Sequence, residues 1–343
     1  MAETAKMLVL DGQQVRQLLD MLDCIDAVER AFRNRAMGSV ARSAVAGVEL
    51  PTGKLHAKLA TLDLARRYAV AKVNANLPGN PGERGLPSIQ GVALLFDAAT
   101  GTPLAAMDSG PLTSIRTAAT SAVAARWLAL PNAFCLAMIG CGIQARAHVS
   151  AMLHVRPIRQ IRAFDANRTT AEEFCREMKT IHNLECQAFE DSPTAARSSQ
   201  IVVTSTPSQR PILDDGDVEA GTFIAAVGAD SEHKQEISVS LLRSAEVIVD
   251  DIDQCTKIGD LHHAITAGVV TPADVRASLD QVVSQQVRGR LDNREIIIFD
   301  STGVAIEDAA AAAVVYERAI DVRVGIDISF GRYPLPAPRL PPA

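Results

Sequence analysis

Three observations predict a two-domain α/β protein with a doubly wound parallel sheet in its second half. The 343 residues exceed one ordinary domain and suit two. From Phe134 onward, short runs rich in Val and Ile alternate with helical patterns, as strands buried on both faces do in a parallel sheet. Before that point, apolar runs follow one another with Gly and Pro between them, the pattern of strands joined by turns in an α+β layer.

Each element follows from its local pattern. Residues 7–10 read as a strand, and Asp11 caps the helix after it. A second helix over residues 24–37 carries Ile25, Val28, Ala31, Phe32 and Arg35 at helical spacing. Strands follow at 45–50, 54–62, 68–76 and 89–97, with the densest Gly and Pro content in the loop 77–87. Residues 97–108 form a hairpin turning at Thr100-Gly101. A helix over 114–130 is stopped by Pro131. The parallel strands lie at 134–140, 160–165, 200–206, 222–228, 246–251 and 295–300. A last helix over 306–320 should pack back on the first domain, and the proline-rich tail 330–343 should be extended or disordered. The expected division is 1–117 plus 306–343 for an α+β substrate-binding and dimerisation domain, and 118–305 for the parallel-sheet domain.

Composition narrows the function. Hydrophobic residues make up 48% and charged residues 22%, values of a packed globular chain. With aromatics at 4%, the core must be built from Ala, Val, Leu and Ile. The net charge is −6 and no basic run occurs, so neither nucleic acid nor an anionic membrane is an expected partner. The six cysteines Cys24, Cys135, Cys141, Cys175, Cys186 and Cys255 include no CxxC pair, which reads as reduced thiols in the cytoplasm. No signal peptide is expected, since no basic segment precedes a long apolar stretch. No apolar run reaches the about 18 residues that span a bilayer. His262 and His263 are adjacent and point apart, so they read as packing or surface histidines, and no metal is expected.

The most informative motif is Gly140-Cys141-Gly142-Ile143-Gln144-Ala145, a GxGxxA between a strand and a helix. Gly140 permits the tight turn, Gly142 lets a pyrophosphate approach the backbone, and Ala145 lets the helix sit on the strand. The helix N-terminus then offers free N–H groups to phosphate. The next strand ends in Asp165, 165 − 142 = 23 residues past the second glycine, near the spacing for an acid on the adenosine ribose. This is a Rossmann fingerprint. The acid favours NAD; Arg168 keeps NADP open, because it could accommodate a 2′-phosphate.

A second constellation is cationic. Val70, Lys72, Asn74 and Asn76 share one strand face, as do His56 and Lys58. Lysines in apolar strands are either solvated at an edge or buried with a partner. Arg116 falls in the first turn of the 114–130 helix if Thr113 or Ser114 caps it. A cation there opposes the helix dipole unless an anion binds at the same end; otherwise it is a surface arginine. Asp230 follows a parallel strand, where ligands gather, and is either a proton-transfer acid or a helix N-cap.

The segments AKVNANLPGNP, GLPSIQGVALLFDAATGTPLAAMD, SIRTAATSAVAARWLA, IGCGIQARAH, AAVGAD and FDSTGVAIEDAA together resemble the ornithine cyclodeaminase/mu-crystallin family, from about Leu8 to Ile320. The resemblance implies a homodimer joined through the first domain and last helix, with the active site between domains. It implies that Arg42, Lys72 and Arg116 clamp a carboxylate, that Asp230 transfers a proton, and that Gly140, Gly142, Ile143 and Gln144 hold the pyrophosphate. Thr204, Thr206, Val227, Gly228 and Ser301 would line the adenine-to-nicotinamide path, with Ser88 and Thr117 also on the cofactor.

The chemistry implied is NAD(P)-dependent reduction of a small α-imino acid, or the reverse amino acid dehydrogenation. A cyclodeaminase recycling its hydride on ornithine or lysine is one alternative, and a non-catalytic mu-crystallin-like binding protein is another. Ornithine cyclodeaminases carry a Glu about 13 residues before the strand lysine, where this chain has Leu59 (72 − 13 = 59). A diamine would meet His56 and Lys58 instead. A like charge at about 4 Å costs around 4 kcal/mol at an effective dielectric near 20, which argues against ornithine or lysine. If His56 and Lys58 both face the site as cations, a dicarboxylic imino acid is expected; a cyclic imine such as pyrroline-2-carboxylate also fits.

Overall fold

The computed structural model of the chain describes residues 6–38, 43–64 and 66–329. Six strands come first: β1 (Lys6–Leu10), β2 (Ala44–Leu50), β3 (Gly53–Asp63), β4 (Arg67–Asn76), β5 (Ile89–Asp97) and β6 (Pro103–Asp108). After the helix Ser109–Leu128 come β7 (Cys135–Ile139), β8 (Gln160–Phe164), β9 (Glu185–Ala188), β10 (Ile201–Thr204), β11 (Gln209–Leu213), β12 (Phe223–Ala226), β13 (Gln235–Ile237), β14 (Glu246–Val249), β15 (Ala277–Ser278) and β16 (Ile297–Asp300). The helix Ala305–Val322 then leads to β17 (Ile326–Ser329).

The first sheet runs β17-β1-β6-β5-β4-β3-β2. Its neighbours are antiparallel except for β1 and β6. The second runs β15-β14-β16-β12-β10-β7-β8-β9 and is parallel throughout. From β7 the chain steps outward to β8 and β9, then crosses to β10 on the other side. The β7/β10 boundary is therefore the switch point, where an open α/β sheet forms its ligand crevice. Strands β11 and β13 pair apart from both sheets.

Strand period 2 explains the layering. Leu136 and Met138 of β7 face a core shared with the first sheet and the helices Met21–Ala36, Ser109–Leu128 and Ala305–Val322. Ala137 and Ile139 face a second core on the far side. The alternating burial of Tyr68, Val70, Lys72 and Asn74 on β4 gives the first sheet one packed face. The last helix lies on that face, as the sequence predicts; its residues 305–313 are buried within the chain.

Several expectations need correction. The central helix starts at Ser109, five residues before the predicted start, and Asp108 caps it by accepting from Gly110 N. Pro111 is tolerated there because proline in a first helical turn loses only an N–H with no intrahelical partner. The loop 77–87 contains a short helix, Asn80–Arg84. Strands β9, β11, β13, β15 and β17 are not among those predicted, because they are short and carry polar residues. The predicted disorder at 330–343 falls outside the described residues. No helix among the described residues is long and apolar enough to cross a membrane.

Candidate active site

Lys58 and Lys72 stand directly opposite each other on β3 and β4, and both are buried. The surface-strand alternative is therefore excluded. Lys72 Nζ donates to Asp308 Oδ1 at 2.6 Å and to Thr113 Oγ1 at 3.2 Å. Lys58 Nζ donates to the carbonyls of Thr302, at 3.2 Å, and Gly303, in the loop after β16. The first sheet thus reaches the C-terminal edge of the parallel sheet through a lysine.

Arg116 is buried as well, but not for the predicted reason. With the helix starting at Ser109, it lies two turns in, so neither the dipole argument nor a surface position applies. It pairs with Glu307, and its Nε lies 2.8 Å from Asp308 Oδ1, with the N–H not aimed at that oxygen. Both acids come from the first turn of the last helix and are fully buried.

The charges tune one another. Burial, reinforced by Arg116, pulls Lys72 down to about 7. Burial with Arg116 also lowers Lys58. Burial would raise Asp308, but Arg116, Lys72 and Lys58 outweigh it and hold the carboxyl below its ordinary value. His56, on the same face of β3, drops to about 4 through burial and the charges of Lys58 and Lys72. It is neutral at pH 7, which corrects its expected role as a cation. His56 therefore adds no second charge for a further acidic group.

Asp230 caps no helix, since a turn follows it. It accepts from Lys234 Nζ at 2.6 Å. Its charge raises both His56 and Lys58, which puts it within electrostatic reach of the cationic cluster. Arg42 falls among residues 39–42, outside the described residues.

The dinucleotide fingerprint sits at the switch point. Gly140 has φ +92°, and a Cβ there would meet Ser205 O at 2.8 Å, so the turn requires glycine. Nothing lies within 4 Å of a Cβ built on Gly142, and no side chain caps the helix Ile143–Val155. Open space before uncapped N–H groups fits a pyrophosphate. Ile143 is exposed and Gln144 half-buried at that end. Arg146 Nη1 donates to the Cys141 and Gly142 carbonyls at 2.8 and 3.0 Å, bracing the turn from behind.

Asp165 accepts from Cys141 N and Asn167 N, each at 2.9 Å. Arg168 is held by Glu172 at 2.8 Å and by Glu190. Thr206, Val227 and Gly228 are half-exposed at the strand ends. Thr204 is fully buried with its hydroxyl on Glu236. Ser301 is buried 3.4 Å from Asp250. Thr117 is buried beside Arg116, and Ser88 is half-buried. The rings of His262 and His263 bond backbone carbonyls of Thr256 and Lys234.

Sequence reasoning missed Glu307, Asp308, Glu236 and Arg146. For Glu307 and Asp308 a signal existed: two acids opening an otherwise alanine-rich helix that is expected to be buried.

Fold and site together define an α/β protein of the Rossmann class with a buried cluster of cations between its two sheets. The chain belongs to the ornithine cyclodeaminase/mu-crystallin family, whose model matches residues 5–323. It is 37% identical over 325 residues to an alanine dehydrogenase of Archaeoglobus fulgidus, covering 95% of this chain and 99% of that protein. The structure of an archaeal alanine dehydrogenase dimer with bound NAD superposes with a TM-score of 0.91 at 36% identity, over 95% of this chain and 100% of that one. Thermococcus litoralis Delta(1)-pyrroline-2-carboxylate reductase, in complex with NADH and L-proline, superposes at 0.90 with 31% identity, over 94% and 100%.

Proposed function

We propose that this protein is an NAD-dependent oxidoreductase that reduces a small α-imino monocarboxylic acid, or oxidises the matching amino acid. The observation that carries this reading is the buried cluster of Lys58, Lys72 and Arg116 against the loop after β16 of a sheet bearing an open glycine turn, with Asp230 within electrostatic reach of Lys58. The family relatives support the reaction class.

The bound dinucleotide supplies or accepts the hydride. The chain's own residues do the rest. Lys72 and Arg116, with Arg42 as the third member of the clamp, take the substrate carboxylate and fix the reacting carbon, an orientation effect. Asp230 gives the imine nitrogen its proton or keeps it protonated, and a cationic C=N is the better hydride acceptor. Lys234 at 2.6 Å balances the acid when it is ionised. Sealing Lys72 from water strengthens its hold on a carboxylate.

NAD over NADP is supported by Asp165 at the end of β8 and by the two glutamates that occupy Arg168. A monocarboxylate over a dicarboxylate is supported by neutral His56. A cyclodeaminase acting on a diamine is disfavoured, since Leu59 points to the face opposite Lys58 and leaves no carboxylate at that position. We infer a homodimer, formed on the outward face of the first sheet, because most of the last helix is spent inside the protomer. Six scattered cysteines, all free, support a cytoplasmic site of action.

An absorbance assay at about 340 nm tests the reading. NADH and NADPH are offered with α-keto acids plus ammonia or methylamine, and separately with pyrroline-2-carboxylate. Oxidation that is lost in Lys72→Ala supports it. Ammonia release from ornithine or lysine without net NADH change would replace it with a cyclodeaminase.

A further inference from the structure

Glu236 is a fully buried carboxylate that takes no part in the reaction described above. It accepts from Thr204 Oγ1 at 2.6 Å, Thr206 N at 2.6 Å and Gly228 N at 2.7 Å. These donors sit where β10 and β12 end. The two strands pair up to Thr204 and Ala226, and Val227 N to Thr204 O at 3.0 Å is the last rung. Beyond it the loops diverge around the crevice. The N–H groups of Thr206 and Gly228 then turn to one carboxylate, which replaces the missing rung.

We propose that Glu236 is the positioning residue of the crevice: its carboxylate sets the spacing of the loops after β10 and β12, and through Gly228 it sets the aim of Asp230. The inference rests on the reading that these loops border the dinucleotide.

Three further observations support it. A Cβ on Gly228 would meet Thr206 O at 2.3 Å and the Glu236 carboxyl at 2.5 Å, so the close approach of the two loops around the carboxylate requires glycine. Asp230 N donates to Gly228 O at 3.0 Å, which ties the acid to the clipped residue in one tight turn. Glu236 is itself held from behind. Its N–H and that of Ile237 donate to Asp260 Oδ1 at 2.7 and 2.8 Å, and Leu261 N donates to Asp300 Oδ2 at 2.9 Å. Three buried acids thus link the ends of β10, β12 and β16. Burial pushes all three up, and the hydrogen bonds that each accepts pull the other way, so the donors are what make the buried acids tolerable. A carboxylate held this rigidly can fix a loop to within the tolerance that hydride transfer needs.

The test compares Glu236→Gln, Thr204→Val and Asp214→Asn with wild type by NADH fluorescence titration, thermal melting and turnover of pyrroline-2-carboxylate. Gln presents an NH2 group where two N–H donors and a hydroxyl converge. Glu236→Gln should weaken NADH by about tenfold and lower kcat by a similar factor, while KM for the imino acid moves by less than about twofold. Thr204→Val removes one donor with little change of shape and should weaken NADH by about threefold at unchanged melting temperature.

Asp214 accepts from Ser238 and Ser240 beside the same small β11–β13 pair. Its Asn variant should bind NADH as wild type does. A folded Glu236→Gln with wild-type NADH affinity would overturn the proposal, as would equal losses in Asp214→Asn. If Glu236→Gln does not fold, Thr204→Val decides: unchanged NADH affinity there overturns it. A wild-type protein that binds neither NADH nor NADPH would instead remove the dinucleotide reading on which the proposal rests.

Discussion

Lys72 Nζ lies 2.6 Å from Asp308 Oδ1 with both side chains sealed from solvent, and Arg116 leans on the same carboxylate. The last helix of the chain therefore supplies the counter-charge for the strand that would hold the substrate. Asp308→Asn leaves Lys72 and Arg116 buried with one anion fewer. Breaking such a pair from one side costs about 3–5 kcal/mol, read as a lower urea midpoint at unchanged slope. Asp308→Asn combined with Lys72→Met should recover a large part of that loss while remaining inactive. A double variant no more stable than Asp308→Asn alone would show that the pair is not the source of the cost.

The depressed Lys72 gives the enzyme a pH signature. Between about 7 and the unfolded value of 10.5, the unfolded chain holds the proton and the folded chain does not, so stability rises with pH across that window. Below about 7 both states are protonated and the contribution is absent. Asp300 acts oppositely: its folded value of about 8 lies above 3.8, so its share of stability falls as pH rises toward about 8 and is flat beyond. From about pH 8 to 10 the melting temperature of wild type should thus rise relative to Lys72→Met. In turnover, the carboxylate needs a charged Lys72, so kcat/KM should fall on the alkaline side with an apparent pKa near 7. Lys72→Arg should move that limb out of range, whatever its effect on the maximum.

Asp165 and Glu190 set the cofactor prediction. Asp165 would repel a 2′-phosphate, and Glu190 together with Glu172 withholds Arg168 from one. Asp165→Ser with Glu172→Gln and Glu190→Gln removes the repulsion and releases the guanidinium. The ratio of kcat/KM for NADPH to that for NADH should rise by about tenfold or more, the scale of one charge-assisted phosphate contact. An unchanged ratio would mean that the adenosine end lies elsewhere.

The sequence carried the doubly wound sheet because its strands are apolar, regularly spaced and separated by helices. It carried the glycine turn because strand, glycines and helix are contiguous. The partners of the cationic cluster were hidden for the opposite reason. Asp308 is 236 residues from Lys72, and no local pattern joins them. Thr113 and Ser114 are plausible caps that would put Arg116 in a first turn, whereas Asp108 is the cap that the folded chain uses. The charge of His56 was misread because a pKa depends on what surrounds the ring, and Lys58 and Lys72 do so only after the sheet has formed. Glu236 belongs to a three-residue strand with no hydrophobic period to announce it.

The outward face of the first sheet makes the last prediction. Val48 and Leu55 are cross-strand partners, and Leu59 and Val92 extend the same face, with exposures of 64, 36, 43 and 38% in that order. Ala71 and Val73 lie between them, opposite Leu59 and Val92 respectively. A contiguous apolar sheet face of this kind marks an interaction surface rather than a solvated one. A second copy is the partner that its flat, uncharged chemistry suits, since a two-fold contact needs only self-complementarity. Val48→Asp and Leu59→Lys place charges in that face without touching the packed side, where Lys58 and Lys72 sit. In sedimentation equilibrium both variants should fall to monomer mass where wild type is a dimer, with circular dichroism unchanged. A wild-type protein that sediments as a monomer, or variants that stay dimeric, would assign this face to another partner.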